Sequence, residues 1–314
     1  MSAVRVIRGG MLTTIQDSGR WGYQSCGVPV AGPMDPLSHR LANALVGNDR
    51  GAATLEVTLV GPELEFEDER VVAVTGADFE ITLDGKLAQT GAPFMVAPES
   101  RLRFGRRRRG ARAYLAIRGG VAVPPVLGSR ATHVISAMGG LGGRSLKAGD
   151  RLPLGVADVA RPTATAPAEP VVPLPEQPAR LRVLPGPQAD AFAADAFEAL
   201  QSAAYTVGQQ SDRMGFRLEG PRLAHARGAD IISDATPLGV LQVPASGQPI
   251  LLMADRQTTG GYPKIGTVIS ADLPVAGQLG PGDMIVFSVC TPREAMAALI
   301  AQERALMAVE SWQR

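Results

Sequence analysis

The sequence is poor in the residues that mark several common classes of protein. It contains two tryptophans, four tyrosines and eight phenylalanines in 314 residues, so we expect no aromatic platform for stacking nucleic-acid bases. Its two cysteines, Cys26 and Cys290, lie far apart and predict neither a disulfide framework nor a metal site, which fits a reducing compartment. The formal net charge is +1 at pH 7, so the protein has no overall field that attracts nucleic acid or an acidic membrane surface.

Long hydrophobic segments are also missing. No apolar run approaches the roughly 18 residues that a membrane-spanning helix needs. The first twenty residues carry charges at Arg5 and Arg8 but no continuous apolar stretch, so we do not expect a signal peptide. Together these absences predict a cytoplasmic protein that binds neither membrane nor nucleic acid.

The usual signatures of a catalytic site formed by one chain are absent as well. The P-loop pattern G-x-x-x-x-G-K-[ST], the nucleophile elbow G-x-S-x-G and a G-x-G-x-x-G after a strand do not occur. No pair among His39, His133 and His225 has the spacing of metal ligands, so no metal site is predicted. We therefore expect an active site that a partner protein completes, or a small-molecule cleft between domains.

What the sequence does contain is typical of short strands and turns. Thirty-six glycines and twenty-five prolines make up nearly a fifth of the chain. Apolar and polar residues alternate over 79–83, and the run stops at Asp84-Gly85, a strong hairpin turn pair. A similar alternation over 113–117 ends at two glycines. Turn residues recur about every ten positions, which favours barrels or sandwiches over βαβ units. The sequence thus predicts a mainly β protein.

Three helices are predicted. The first begins after the N-cap Asp35, carries an apolar stripe at every fourth position and ends at Gly47. The second covers about 189–203. The third opens with a capping box at Thr291 and Glu294 and runs to about Glu310.

The length suggests two domains. The segment 156–179 is rich in proline and alanine and has no regular period, so it is the predicted linker between a first domain, 1–155, and a second, 180–314. The two halves also share a motif, because residues 16–23 match residues 209–216 at Gln, Ser, Arg, Gly and an aromatic residue. Chance similarity between two glycine-rich β segments is the alternative, but the match favours duplicated β domains.

The densest polar segment is 255–266, which directly follows an apolar strand. Its glycines allow a tight turn that offers N–H groups to an anion or a carbonyl oxygen. Arg256 and Lys264 add positive charge, and the polar residues between them can orient a small ligand. Such a loop suits polarisation of an amide oxygen. A long solvated hairpin with ordinary turn glycines is the alternative interpretation.

Two other charged segments allow more than one interpretation. Asp17 could act as a base and Arg20 as a carboxylate or phosphate clamp, although a structural turn in which the two pair with each other is the favoured alternative. Arg213, in the second copy of the motif, likewise allows either a functional role or a structural turn. The run Arg106–Arg109 lies between two predicted strands, so a solvated hairpin tip is favoured over a patch for docking a partner.

Several of these segments together resemble one known family. Its members are labelled allophanate hydrolase subunit 2, biotin-dependent carboxyltransferase, Kip-type anti-inhibitor or the C subunit of 5-oxoprolinase. The resemblance rests on these segments, in this order along nearly the whole chain: 10–20 (GMLTTIQDSGR), 32–35 (GPMD), 42–48 (ANALVGN), 128–132 (GSRAT), 211–215 (SDRMG), 242–244 (QVP) and 254–263 (ADRQTTGGYP).

The resemblance implies two tandem cyclophilin-like β-barrel domains with a few peripheral helices. It also implies a companion chain, the B subunit (similar to allophanate hydrolase subunit 1), and in the oxoprolinase a third chain, the A subunit. That complex opens 5-oxoproline to glutamate with ATP hydrolysis, with ATP bound together with the partner subunits. A second possibility is transfer of a carboxyl group from carboxybiotin to urea or a related amide, which requires biotin on another protein because this sequence has no Met-Lys-Met carrier motif. A non-enzymatic regulator that binds a kinase inhibitor ranks third.

The resemblance and the chemistry of the segments together give a set of predicted site residues. Residues with a predicted catalytic role are Asp17, Asp255, Arg256 and Lys264. Residues predicted to bind an amide substrate are Arg20, Arg213, Gln257, Thr258, Thr259, Gly260, Gly261 and Tyr262.

Overall fold

The structure is a computed structural model that describes residues 2–157 and 174–311. Their contacts divide them into two compact units. The first comprises the described residues within Met1–Arg20, Ala31–Leu174 and Glu303–Arg314, and the second comprises those within Trp21–Val30 and Pro175–Gln302. Most of the predicted linker, residues 158–173, lies outside the described residues, and the predicted domain limits stay a prediction.

The first unit is built on a nine-stranded sheet. Its strands are β1 (Ala3–Arg8), β2 (Leu12–Gln16), β3 (Thr54–Thr58), β4 (Glu63–Phe66), β5 (Arg70–Leu83), β6 (Lys86–Leu87), β7 (Pro93–Val96), β8 (Arg101–Ile117) and β9 (Arg151–Pro153). The order is β2-β3-β8-β4-β1-β9, and β5 pairs with β6, β7 and β8. Alternate residues of these strands, such as Val72, Val74, Leu115 and Ile117, form one buried core.

The long antiparallel pair of β5 and β8 corrects one prediction. The sequence suggested that Arg106–Arg109 form a hairpin tip between two strands, but β8 is continuous and these arginines lie in its middle. Arg107 is opposite Phe79 and Arg109 is opposite Asp78 on β5, with register shifts along this stretch. Bulges of this kind let a strand continue through residues that break the alternation of apolar and polar side chains. The turn that was predicted at Asp84-Gly85 is confirmed, and both residues have positive φ angles.

Helix α1 (Pro36–Val46) packs its apolar stripe against the sheet of the first unit. The prediction of its ends is confirmed. The side chain of Asp35 accepts a hydrogen bond from the backbone N–H of Ser38 at 2.9 Å, and Gly47 ends the helix in the left-handed conformation. A carboxylate that accepts from the first turn satisfies an N–H group with no partner inside the helix.

The second unit contains a closed barrel of seven strands. All strands of this unit are β10 (Ala179–Pro185), β11 (Tyr205–Val207), β12 (Gly215–Glu219), β13 (Asp234–Ala235), β14 (Val240–Gln242), β15 (Ile250–Leu252), β16 (Thr259–Gly260), β17 (Lys264–Val268) and β18 (Met284–Val289). The barrel order is β10-β17-β14-β15-β12-β11-β18, and parallel pairing of β18 with β10 closes it. Strands β13 and β16 form a separate small sheet. The predicted mainly β fold with two barrel-like domains is confirmed, with a half-barrel sheet in the first unit.

The remaining helices are α2 (Ala196–Ser202), α3 (Leu273–Gly277) and α4 (Pro292–Ser311). The single helix predicted over 189–203 is wrong in extent, because the chain is extended at Phe192, which forms a β-bridge with His225. Only a short 3-10 turn precedes this break. The capping box of α4 is confirmed, since Glu294 accepts from the N–H of Thr291 at 2.7 Å and donates its own N–H to the Thr291 hydroxyl at 3.3 Å.

Candidate functional site

The polar loop 255–263 connects β15 to β17 and is covered by a second segment of the same unit. In the middle of the loop, β16 pairs with β13, so that Asp234 is opposite Gly260 and Ala235 is opposite Thr259. The amide of Ile231 also donates to the carbonyl oxygen of Gly261 at 2.8 Å. Residues 231–236 therefore form a short cover strand over the glycine turn of the loop.

The loop begins at a buried ion pair between two predicted site residues, Arg213 and Asp255. Nε and Nη2 of Arg213 donate to Oδ2 and Oδ1 of Asp255, both at 2.9 Å. The side chains are 6% and 4% exposed. The amide of Asp255 donates in addition to the carbonyl oxygen of Arg213 at 2.8 Å. Because a buried bidentate pair has one well-defined geometry, it fixes the start of the loop on the turn before β12.

The guanidinium group of Arg256 is directed at backbone carbonyl groups. Its Nε donates to the carbonyl oxygen of Thr236 at 2.7 Å, and Nη1 donates to that of Met253 at 3.4 Å. Burial lowers the pKa of Arg256 from its ordinary value, and the Asp255 carboxylate opposes this effect. Arg256 therefore links the loop to the cover strand. It does so with the same guanidinium group whose charge was predicted to act on the substrate.

Lys264 is the most deeply buried charge of the predicted catalytic residues. Its side chain is 1% exposed, and its Nζ donates to Oδ2 of Asp234 at 2.6 Å. Side-chain hydrogen bonding to Lys264 is the main cause that lowers the pKa of Asp234 below its ordinary value. In this structure the ammonium group thus faces a carboxylate of the cover strand.

A cavity of about 250 Å³ lies beside the loop in the second unit. Two predicted site residues, Gln257 and Tyr262, line it together with residues of β12, β14 and β15. The full lining consists of Gln210, Asp212, Met214, Gly215, Arg217, Gln242, Ile250, Leu252, Gln257 and Tyr262. The lining combines apolar side chains with amide, hydroxyl and charged groups, which is the composition of a small-molecule site.

The side-chain amides in this cavity form a chain of hydrogen bonds. Nε2 of Gln257 donates to Oε1 of Gln242 at 3.3 Å, and Nε2 of Gln242 donates to the carbonyl oxygen of Tyr262 at 3.4 Å. Each amide nitrogen has two N–H groups, so each retains one donor beyond these bonds. Gln242 is 1% exposed, which holds its amide in a defined orientation.

The other predicted residues of the loop contribute mainly backbone. The carbonyl oxygen of Thr258 accepts from the amide of Thr236 at 3.1 Å, and Thr259 and Gly260 form β16. At Gly260 a Cβ atom would lie 2.5 Å from Nε2 of Gln242, so this glycine makes room for the buried amide. The small residue here is therefore required by the close approach of a side chain that lines the cavity.

Asp17 and Arg20, both of the first unit, hold the loop 126–131. The Asp17 carboxylate accepts from the hydroxyl of Ser129 at 2.6 Å and from the backbone amide of Arg130. Arg20 is fully buried, and its Nε and Nη2 donate to the carbonyl oxygens of Val126 and Ala131, both at 2.9 Å. These contacts give both side chains a structural task within the first unit, and their predicted roles in chemistry stay predictions.

Two residues of the site were missed by sequence reasoning. Gln242 is the polar end of an otherwise apolar strand and opens the segment 242–244 of the family resemblance, but neither signal led to a predicted role for it. Asp234 gave no signal, because its strand is two residues long and its partner Lys264 is thirty residues away. Contacts of this kind become visible only in the folded chain.

Within residues 2–157 and 174–311, no group of three or more His, Cys, Asp or Glu side chains is arranged to hold a metal ion. Among the same residues, every helix is too short or too polar to span a bilayer.

Comparison with known proteins identifies the family of this chain. Residues 26–289 match the carboxyltransferase domain family, subdomains A and B, and the chain belongs to this family.

Among curated relatives, the chain is 41% identical to the C subunit of 5-oxoprolinase from Escherichia coli K12 over 301 residues, 96% of either chain. It is 37% identical to the corresponding C subunit from Haemophilus influenzae, over 90% of this chain and 89% of the relative. Among solved structures, it resembles the Kluyveromyces lactis urea carboxylase with a TM-score of 0.89 and 35% identity; the match covers 98% of this chain but 29% of the larger protein.

Proposed function

We propose that this protein is the C subunit of an ATP-dependent 5-oxoprolinase that opens 5-oxo-L-proline to L-glutamate in a cytoplasmic complex with the A and B subunits of that enzyme. The observation that carries the proposal is the match along almost the full length of two bacterial subunits of that name. The urea carboxylase, in contrast, is more than three times as long as the part that this chain matches.

The cavity of the second unit supports the proposal by its size and chemistry. A volume of about 250 Å³ suits a ligand of one small ring. A lactam offers an oxygen acceptor and an N–H donor in one plane, which the amides of Gln242 and Gln257 can pair with. The remaining N–H groups of these amides would stabilise the charge that grows on the lactam oxygen when its carbon is attacked.

In this proposal the nucleotide is held together with the partner subunits. The lining of the cavity carries one arginine and one aspartate, Arg217 and Asp212, which is too little positive charge for a triphosphate. The sequence also lacks the P-loop pattern. The residues of this chain would bind and orient the amide, and nucleotide chemistry would be supplied at the contact with the partners.

The test is reconstitution of activity from purified proteins. The chain is mixed with the A and B subunits, 5-oxo-L-proline and ATP, and ADP and glutamate are both measured. We expect equal amounts of the two products only when all three proteins are present. ADP without glutamate, or no turnover in a complex that assembles, would contradict the proposal.

A variant of Gln257 tests the role of the cavity. Gln257→Ala removes an amide that bonds to Gln242 at 3.3 Å, and we expect a loss of about 100-fold in kcat/KM, the usual effect of removing one donor to a developing oxyanion. Gln89→Ala, a change at an exposed glutamine of the first unit, is the matched control. Equal rates in both variants would remove the cavity from the mechanism.

One observation favours a second candidate, a carboxyltransferase that acts on urea or a related amide. Nearly the whole length of this chain superimposes on one part of the urea carboxylase, with a TM-score of 0.89. This activity would require bicarbonate and a biotinylated carrier protein, and avidin would block it. A regulator of a kinase inhibitor, the third possibility, would bind its partner in a fixed ratio without any turnover.

A further inference from the structure

The cover strand makes an unusual combination of contacts with the loop. The carboxylate of Asp234 accepts from Nζ of Lys264 at 2.6 Å. The backbone of the same residue lies opposite Gly260 in the antiparallel pair of β13 and β16. One short segment of the chain therefore presents a carboxylate and a planar peptide group to the loop at the same time.

The ammonium group of Lys264 has more hydrogen-bonding capacity than the described residues use. It has three N–H donors, and among residues 2–157 and 174–311 only Asp234 accepts from it. A buried ammonium group is stable when opposite charge and hydrogen bonds compensate it. Its partner is itself 54% exposed, so the compensating carboxylate reaches inward from the protein surface. Such a position is open to exchange with a carboxylate from solution.

The two groups that the cover strand presents lie close together. The amide N–H of Ala235 donates to Oδ1 of Asp234 at 2.7 Å, so the carboxylate touches the next peptide group. In 5-oxo-L-proline, the carboxyl group and the amide nitrogen are bonded to one carbon atom, which gives the same proximity of carboxylate and amide N–H. The cover strand thus presents to the loop the functional groups of a carboxylate-bearing lactam.

The cover strand is held to the loop by hydrogen bonds and one ion pair rather than by apolar packing. Strand β13 has two residues, both exposed, and its only strand partner among the described residues is β16. The neighbouring side chain of Ile232 is 93% exposed. Because little apolar surface would be uncovered, displacement of this strand would cost little hydrophobic free energy.

We propose that the Asp234–Ala235 strand occupies a binding site formed by Lys264 and the Gly260 turn for a small ligand that carries a carboxylate beside an amide. In this state the chain acts as its own ligand, and the true ligand displaces the strand. Gly260 lies against Gln242, which lines the cavity of the proposed function, so the two places adjoin and one ligand can contact both. The identification of that ligand with 5-oxo-L-proline rests on the proposed function, whereas the displacement itself does not.

The lysine content of the protein allows a direct test on the full chain alone. The sequence contains three lysines, and Lys86 and Lys147 are exposed whereas Lys264 is buried. Acetic anhydride labelling at each lysine, followed by mass spectrometry of the peptides, measures Lys264 against two internal references. Asp234→Ala is the test variant. Asp230→Ala, a change at an exposed aspartate directly before the cover strand, is the matched control.

We expect Lys264 to react slowly in the wild-type protein and in Asp230→Ala. In Asp234→Ala it should react about tenfold faster, since loss of the charge-assisted hydrogen bond to the carboxylate uncovers the amine. Added 5-oxo-L-proline should slow this reaction in the variant. 2-Pyrrolidinone, which lacks the carboxylate, and tetrahydro-2-furoate, which lacks the amide, should not protect at the same concentration.

Each contrary result overturns part of the proposal. An unchanged rate at Lys264 in Asp234→Ala would show that the strand does not cover the amine. Protection by 2-pyrrolidinone or tetrahydro-2-furoate would exclude the paired recognition of carboxylate and amide, and a lack of protection by 5-oxo-L-proline would exclude this ligand. Because the labelling needs no partner protein, protection without turnover in the reconstituted complex would refute the proposed function alone. Turnover without protection would refute this inference alone.

Discussion

The buried imidazole of His39 should make the stability of the first unit depend on pH. His39 lies on α1 and is 1% exposed. Its Nδ1 is 2.9 Å from the hydroxyl of Thr54, and its Nε2 is 3.5 Å from the amide nitrogen of Asn43, an arrangement that suits a neutral ring with its proton on Nδ1. Burial lowers the pKa of His39 from its ordinary value of 6.5 to about 4, although the carboxylates of Asp17 and Glu56 oppose this effect.

The size and the direction of this change in the free energy of unfolding follow from the pKa values of His39 in the unfolded and folded states. The unfolded chain binds a proton at His39 near pH 6.5, whereas the folded protein binds it only near pH 4. Since the unfolded state binds more protons between these values, the free energy of unfolding falls as the pH is lowered through this window. Each pH unit is worth about 1.4 kcal/mol, so the complete loss is about 3 kcal/mol, of which about 2.5 kcal/mol appears between about pH 7.5 and 4.5.

Two measurements check this prediction. Urea unfolding, followed by circular dichroism and by hydrogen exchange in peptides from α1, is compared at the two pH values for wild type, His39→Gln and His225→Gln. We expect His39→Gln to lose about 2.5 kcal/mol less than the other two proteins. In NMR spectra, the ring signal that is missing in His39→Gln should keep its neutral position down to about pH 5. A titration midpoint near pH 6.5 for that signal, or equal pH dependence in all three proteins, would refute the reasoning.

Two further predictions concern buried polar pairs. The hydroxyl of Tyr114 donates to the carboxylate of Glu56 at 2.7 Å and accepts from the backbone amide of Asp35 at 2.8 Å. Tyr114→Phe removes this partner from two buried groups, and we expect it to lower the free energy of unfolding in urea by about 2–4 kcal/mol. A cost below about 0.5 kcal/mol would contradict this contact. Arg213→Met leaves a buried carboxylate unpaired at Asp255 and should cost about 3–5 kcal/mol, whereas the double variant with Asp255→Leu should recover most of the loss. A double variant as unstable as Arg213→Met would contradict the pairing.

Local signals predicted the elements whose ends are fixed by neighbouring residues. The N-cap Asp35, the C-terminal Gly47 and the capping box at Thr291 act within one helical turn, so the sequence is sufficient to place them. The hairpin turn at Asp84 is local in the same sense. Each of these predictions is confirmed because its cause lies within a few residues of its effect.

Predictions failed where a distant strand decided the local conformation. Strand β8 continues through four arginines because β5 pairs with it along its length and absorbs the mismatch in register shifts. The helix expected over 189–203 is interrupted at Phe192, whose extended backbone pairs with His225. In both cases pairing with a residue far away in sequence outweighs local preference.

The sequence by itself determined that the chain is mainly β, that α1 and α4 begin where they do, and that most of the predicted polar site residues follow one another in a single loop. Tertiary structure decided how these residues are used. Folding brings Arg213 to Asp255 and Asp234 to Lys264, and it turns Gln257 toward Gln242 at the cavity. The physical reason is that charge compensation and burial depend on distances in space, which a sequence does not specify until its strands have paired.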